Sequence, residues 1–144
     1  MALTCVIGKI NQMNKLAEEY VNLRIKQDQL PVLRSHVSLF YILPESGEKM
    51  RFQDLVDIWG VSKSSASEVV VKYEQMGLLE KCTCADDKRN VFVSLKPEAV
   101  ALKRKFEKIE QDFLELILAD LSEEEKGQFS EYLDRAISKG HVGK

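Results

Sequence analysis

From Phe52 to Tyr73 the apolar residues recur at steps of three and four, and from Leu79 to Leu95 they recur at steps of two. A pair of short helices followed directly by a β-hairpin satisfies that change of period. Phe52, Leu55, Val56 and Trp59 form one helix face, and Gly60 is a suitable C-terminal residue for it. Ser62 is placed to cap the next helix, whose apolar face is Ala66, Val69, Val70 and Tyr73, with Met76 behind and Gly77 as its end. The connection Gly60-Val61-Ser62 has the length of a helix-turn-helix linker. Beyond Gly77, Leu79 to Cys84 and Asn90 to Lys96 read as extended, with Val91, Val93 and Leu95 alternating. The polar run Ala85-Asp86-Asp87-Lys88-Arg89 is the hairpin tip.

The flanks are helical. Val6, Ile10, Met13, Ala17, Tyr20, Val21 and Arg24 mark one face of a helix from about Thr4 to Lys26. Leu30-Pro31 reads as a second helix start with Pro31 at its first position, continued by Leu33, Val37, Phe40 and Tyr41 and ended by Pro44, Ser46 and Gly47. Pro97 opens a long helix to about Asp120, with Phe106, Ile109, Phe113, Leu116, Ile117 and Leu121 as its stripe. Ser122-Glu123-Glu124-Glu125 is a capping box for a last helix carrying Phe129, Tyr132, Leu133 and Ala136 and ending near Gly140. The fold class expected is mainly α with a small β-hairpin wing (α+β), a winged helix-turn-helix between terminal helices. A helix of ~24 residues spans ~36 Å, longer than a compact winged module requires. Its apolar stripe therefore calls for a partner, and a symmetric pair is the commonest solution.

Composition removes several alternatives. The 144 residues are 44% apolar, too many for a disordered tail. No apolar run approaches the ~18 residues of a membrane span, so no membrane partner is expected. Met1-Ala2-Leu3-Thr4-Cys5 lacks the basic and apolar regions of a signal peptide. Cys5, Cys82 and Cys84 are odd in number and suit a reducing cytoplasm. Without a Cys-x-x-Cys pair, and with His36 and His141 far apart, no metal site is expected. There is no Gly-rich phosphate loop, nucleophile elbow or metal triad, so no catalytic residue, no cofactor and no enzymatic activity are expected.

What remains is nucleic-acid recognition. The second helix of such a pair enters the major groove, and the hairpin reaches the flanking backbone or minor groove. Ser62, Lys63, Ser64, Ser65, Ser67, Glu68 and Lys72 fall at the start or on the outer face of that helix, where short hydroxyls and cations meet phosphates and base edges. Lys88 and Arg89 are the wing cations, and Asp87 is placed to orient Arg89. Residues 49–96 hold eight Lys and Arg against seven Asp and Glu, while the whole chain carries a net charge of −2. The asymmetry has the sign DNA binding needs, but it is small.

These residues together resemble the MarR family of winged-helix transcriptional regulators. The resemblance rests on Phe52 through Ser62 for the helix-turn-helix, Glu74-Gln75-Met76-Gly77-Leu78-Leu79-Glu80-Lys81 for the helix end and first wing strand, Asp87-Lys88-Arg89 for the Asp-x-Arg wing, and Val91 through Leu95 for the second strand. It runs over nearly the whole chain, implying one domain over 1–144, with about 30–97 as the DNA-binding part and 1–29 and 98–144 as dimerisation helices. Two departures stand out. Leu95-Lys96-Pro97 replaces the family's Leu-Thr, and Glu68 puts an acid on the reading face.

The resemblance implies a cytoplasmic homodimer that binds a pseudo-palindromic operator in double-stranded DNA, acts as a repressor, and responds to a small molecule or an oxidant. Cys5 is the candidate oxidant sensor, with a small buried hydrophobe as its plain alternative. Tyr20, His36 and Tyr41 are the candidate lining of an effector crevice. The competing function is a winged-helix protein-interaction module that no longer binds DNA, motivated by Glu68 and the net charge.

Overall fold

The computed structural model describes residues 5–83, 86 and 89–141. Along the chain run α1 (Val6–Gln27), a 3-10 turn (Arg34–His36), α2 (Val37–Ile42), β1 (Met50–Arg51), α3 (Phe52–Trp59), α4 (Lys63–Gln75), β2 (Leu79–Thr83), β3 (Val91–Leu95), α5 (Pro97–Ile117) and α6 (Glu123–Lys139). The chain divides into two compact units, Met1–Ile109 and Glu110–Lys144, and the division falls within α5. Among the described residues no helix is long and apolar enough to cross a membrane.

The core of the first unit gathers one stripe from each element. Leu39, Phe40 and Leu43 come from α2 and its end, Leu55 from α3, and Val70 and Tyr73 from α4. Leu79, Val93 and Leu95 come from the sheet, and Ala99, Leu102, Phe106 and Ile109 from α5. Each large side chain so buried contributes ~1.5–3 kcal/mol of transfer free energy. Lys103, on the same helix, is also buried. Its ammonium lies 3.8 Å from Glu45 and 5.1 Å from the Tyr41 ring centroid, so an acid and an aromatic face replace the lost water.

The α3–α4 pair follows the sequence pattern. Gly60 sits at φ +78, a conformation a side chain resists, and its N–H closes the helix on the Val56 carbonyl at 2.9 Å. Ser62 accepts from the Ser65 N–H at 3.1 Å, so the capped α4 starts where its hydroxyl-rich turn predicts. The capping box of α6 is also present, with Ser122 and Glu125 satisfying each other's backbone N–H.

Four expectations need correction. The sheet has three strands, in the order β1-β3-β2, all antiparallel. Met50 faces Val93 and Arg51 faces Phe92, and a strand of two residues has no period to read. Pro31 does not open a helix. Leu30 and Val32 are buried while Pro31 and Leu33 are exposed, the alternation of an extended segment, and helical structure begins only at Arg34. Met76 stands at the end of α4 and is exposed, because the helix turns its stripe away there. Leu116 is exposed as well, and Leu118 takes the buried position in the second unit.

Candidate nucleic-acid interface

The outer side of α4 is free of the core. Lys63, Ser64, Glu68 and Lys72 are exposed and Ser67 is half-buried, while Ala66, Val70 and Tyr73 face inward. This is the amphipathic division the sequence implies, and it leaves polar side chains on one continuous strip. Ser62 and Ser65 are exposed too, but their hydroxyls are engaged with each other at 2.8 Å at the helix start. They hold the first turn, with the Ser64 hydroxyl 3.4 Å from that of Ser62, and Lys63 and Ser67 face outward beside them. The Lys72 ammonium lies 5.4 Å from the Tyr73 ring centroid, at the opposite end of the helix.

Next to this strip the first unit has a concave pocket of about 410 Å³. Arg51 of β1, Lys63 of α4, Lys81 of β2 and Arg89 of the wing bring four cations to it, with Gln53 and Asn90 as amide donors. Phe52, Val70 and Val91 supply apolar wall, and none of the described lining residues is acidic. The sequence pointed to Lys63, Ser67 and Arg89. It did not point to Arg51, Gln53, Lys81 or Asn90, whose gathering depends on the β1–β3–β2 pairing. Asp87 and Lys88, expected at the wing tip, lie outside the described residues, and so does Cys84.

The remaining candidates are scattered over separate contacts. Arg24 donates to the Tyr20 hydroxyl at 2.8 Å within α1. Tyr41 lies under the Lys103 ammonium. His36 meets Tyr73, with its Nδ1 2.6 Å from the hydroxyl, and stands edge-on to Trp59 at 6.4 Å. Burial, and secondarily the Lys72 charge, holds the His36 pKa below its ordinary 6.5. Burial raises the Tyr73 pKa, opposed by the hydrogen bond from the Leu33 N–H. Cys5 is exposed at the start of α1 with φ +69. Among the described residues no cluster of His, Cys, Asp and Glu is arranged to hold a metal ion.

Residues 30–90 match the MarR family model. No curated protein sequence is similar enough to match. Solved structures are similar over almost their whole length. Apo MarR from E. coli matches with a TM-score of 0.77 at 14% identity, covering 94% of this chain and 98% of that one. S. aureus MepR in complex with DNA matches with a TM-score of 0.73 at 16% identity, covering 96% and 99%. AbsC, a MarR family transcriptional regulator from Streptomyces coelicolor, matches with a TM-score of 0.73 at 21% identity, covering 100% and 99%.

Proposed function

We propose that the chain is a transcription regulator of the MarR family, a homodimeric, sequence-specific DNA-binding repressor of the cytoplasm. The observation that carries the reading is the exposed polar strip of α4 running beside a four-cation hollow at the base of the wing. α4 enters the major groove with Lys63, Ser64, Ser67 and Lys72 forward, and the hollow takes a backbone phosphate of the flank through Arg51, Lys81 and Arg89. Glu68 then reads a base edge, accepting from a cytosine amine rather than approaching a phosphate. The similarity to MepR, whose structure is a DNA complex, supports the same use of this fold.

The dimer reading rests on exposed apolar side chains in both units. α1 exposes Ile7, Ile10 and Leu16, with Ile7 75% accessible, and α6 exposes Tyr132, Leu133 and Ile137. Surface of this kind on terminal helices is buried by pairing. Pairing also places two α4 helices about one DNA turn (~34 Å) apart. For the effector, the end of α1 and α5 carry Arg24, Arg104, Lys105 and Lys108 around one shallow depression; Arg24 is paired there with Asp28 and Arg104 with Glu45 and Glu107, so an anionic small molecule would compete with these acids. Such a ligand acts only by binding DNA-competent and incompetent dimers unequally.

Selection of bound duplexes from a random DNA pool tests the proposal. A two-fold symmetric consensus is the expected result. Failure of the purified protein to retain any duplex at low salt overturns it and leaves the protein-interaction module, the reading that Glu68 on an otherwise suitable face favours.

A further inference from the structure

His36 closes the 3-10 turn ahead of α2 and touches both helices of the reading pair. Its ring is edge-on to Tyr73 of α4 at 5.5 Å and to Trp59 of α3 at 6.4 Å. The hydrogen positions follow from what each group is able to donate. The Leu33 N–H points at the Tyr73 hydroxyl oxygen at 3.4 Å, and an N–H only donates. That oxygen is an acceptor on one side. Its single hydrogen is then directed at His36 Nδ1, 2.6 Å away, which must offer a lone pair. Tyr73 is wholly buried, so the hydrogen has no solvent to turn to. The arrangement selects a neutral imidazole with its hydrogen on Nε2.

We propose that His36 is a proton-operated latch on the recognition helix: neutral, it accepts the Tyr73 hydroxyl and fixes α4; protonated, it releases that bond and loosens α4. A proton on Nδ1 removes the acceptor of the phenolic hydrogen, which is buried and has no solvent to turn to, so that hydrogen bond is lost and the contact weakens. The groups around the ring agree in sign. α4 brings the Lys72 cation and the neutral Tyr73, and α3 brings the neutral Trp59. On the same turn Arg34 is paired with Glu18 of α1 at 3.6 Å, which leaves that acid engaged. No acid among these neighbours is placed to shelter an imidazolium.

The pKa of His36 is lowered in the fold, so its contribution to stability is full above the unfolded value of 6.5 and is lost as pH falls through the lower folded value. The consequence for DNA rests on the function proposed above: affinity falls on acidification because α4 no longer has one fixed position.

The full chain has two histidines and one tryptophan, which makes the test direct. NMR titration of the His36 imidazole is read against its ordinary value of 6.5. His36 should titrate below that value, and Tyr73→Phe should move its midpoint upward. Trp59 emission and α4 amide exchange, corrected for intrinsic rates, should change with the same midpoint. Both should lose that dependence in His36→Asn, which keeps an acceptor near the Nδ1 position and cannot take the proton. A His36 that titrates at or above 6.5, or α4 exchange that ignores its titration, overturns the latch. If Tyr73→Phe does not fold, the wild-type and His36→Asn pair decides alone. DNA affinity should fall with pH in the wild type and stay level in His36→Asn. Protein that binds no DNA at any pH defeats the repressor reading, while imidazole titration and exchange still judge the latch.

Discussion

Arg89 joins Arg51, Lys63 and Lys81 at the wing hollow, and in the proposed function its charge acts on phosphate rather than on a base. Arg89→Ala is therefore expected to weaken binding to every duplex alike and to reduce the slope of log affinity against log salt by about one, measured by fluorescence anisotropy at several salt concentrations. Ser62 serves the fold instead. Ser62→Ala removes the acceptor for the Ser65 N–H and should cost ~1 kcal/mol, read as a lower denaturant midpoint with an unchanged slope. Lys63, Ser64, Ser67 and Lys72 were legible in the sequence because a helical period separates an inner face from an outer one. Arg51, Lys81 and the His36–Tyr73 contact were not, since each depends on a meeting of distant segments. Tyr73 reads correctly as a core residue in the stripe, but nothing in the stripe tells which side chain its hydroxyl will find.

At the scale of elements, α3, α4 and both wing strands were readable, because each carries a strong period and an unambiguous end signal. Gly60 supplies one of those signals through its positive φ. A Cβ there meets open space, so the strain in Gly60→Ala is conformational alone, and a loss of ~1–2 kcal/mol is expected by thermal melting. The stretch from Leu30 to Leu33 was misread for the converse reason. Pro31 is a helix-start signal, but the alternate burial of Leu30 and Val32 outweighed it. Gln29 at φ +53 ends α1 beforehand, with the Leu30 N–H bonded back to the Ile25 carbonyl at 2.9 Å. β1 left no trace in the sequence because its pairing with β3 is a property of the sheet and not of Met50 and Arg51 themselves.

For the whole molecule, the net charge of −2 is a poor guide, since four cations gather at one hollow. Long-range attraction to DNA should be modest, with affinity supplied locally and lost quickly as salt rises. In the proposed dimer, the apolar residues on the terminal helices set the state of assembly. Ile10→Asp places a charge on the exposed α1 stripe and should shift the protein from dimer toward monomer in sedimentation equilibrium, with cooperative binding to a two-fold site lost in parallel. A wild-type monomer in the same measurement would exclude the paired reading. The two-residue strand has a larger effect than its length implies. Met50 and Arg51 run without a break into Phe52 of α3 and are bonded to β3 of the hairpin. A displacement of β3 is thereby passed to α3, so a signal that moves the described wing strands must tilt the first helix of the pair with them.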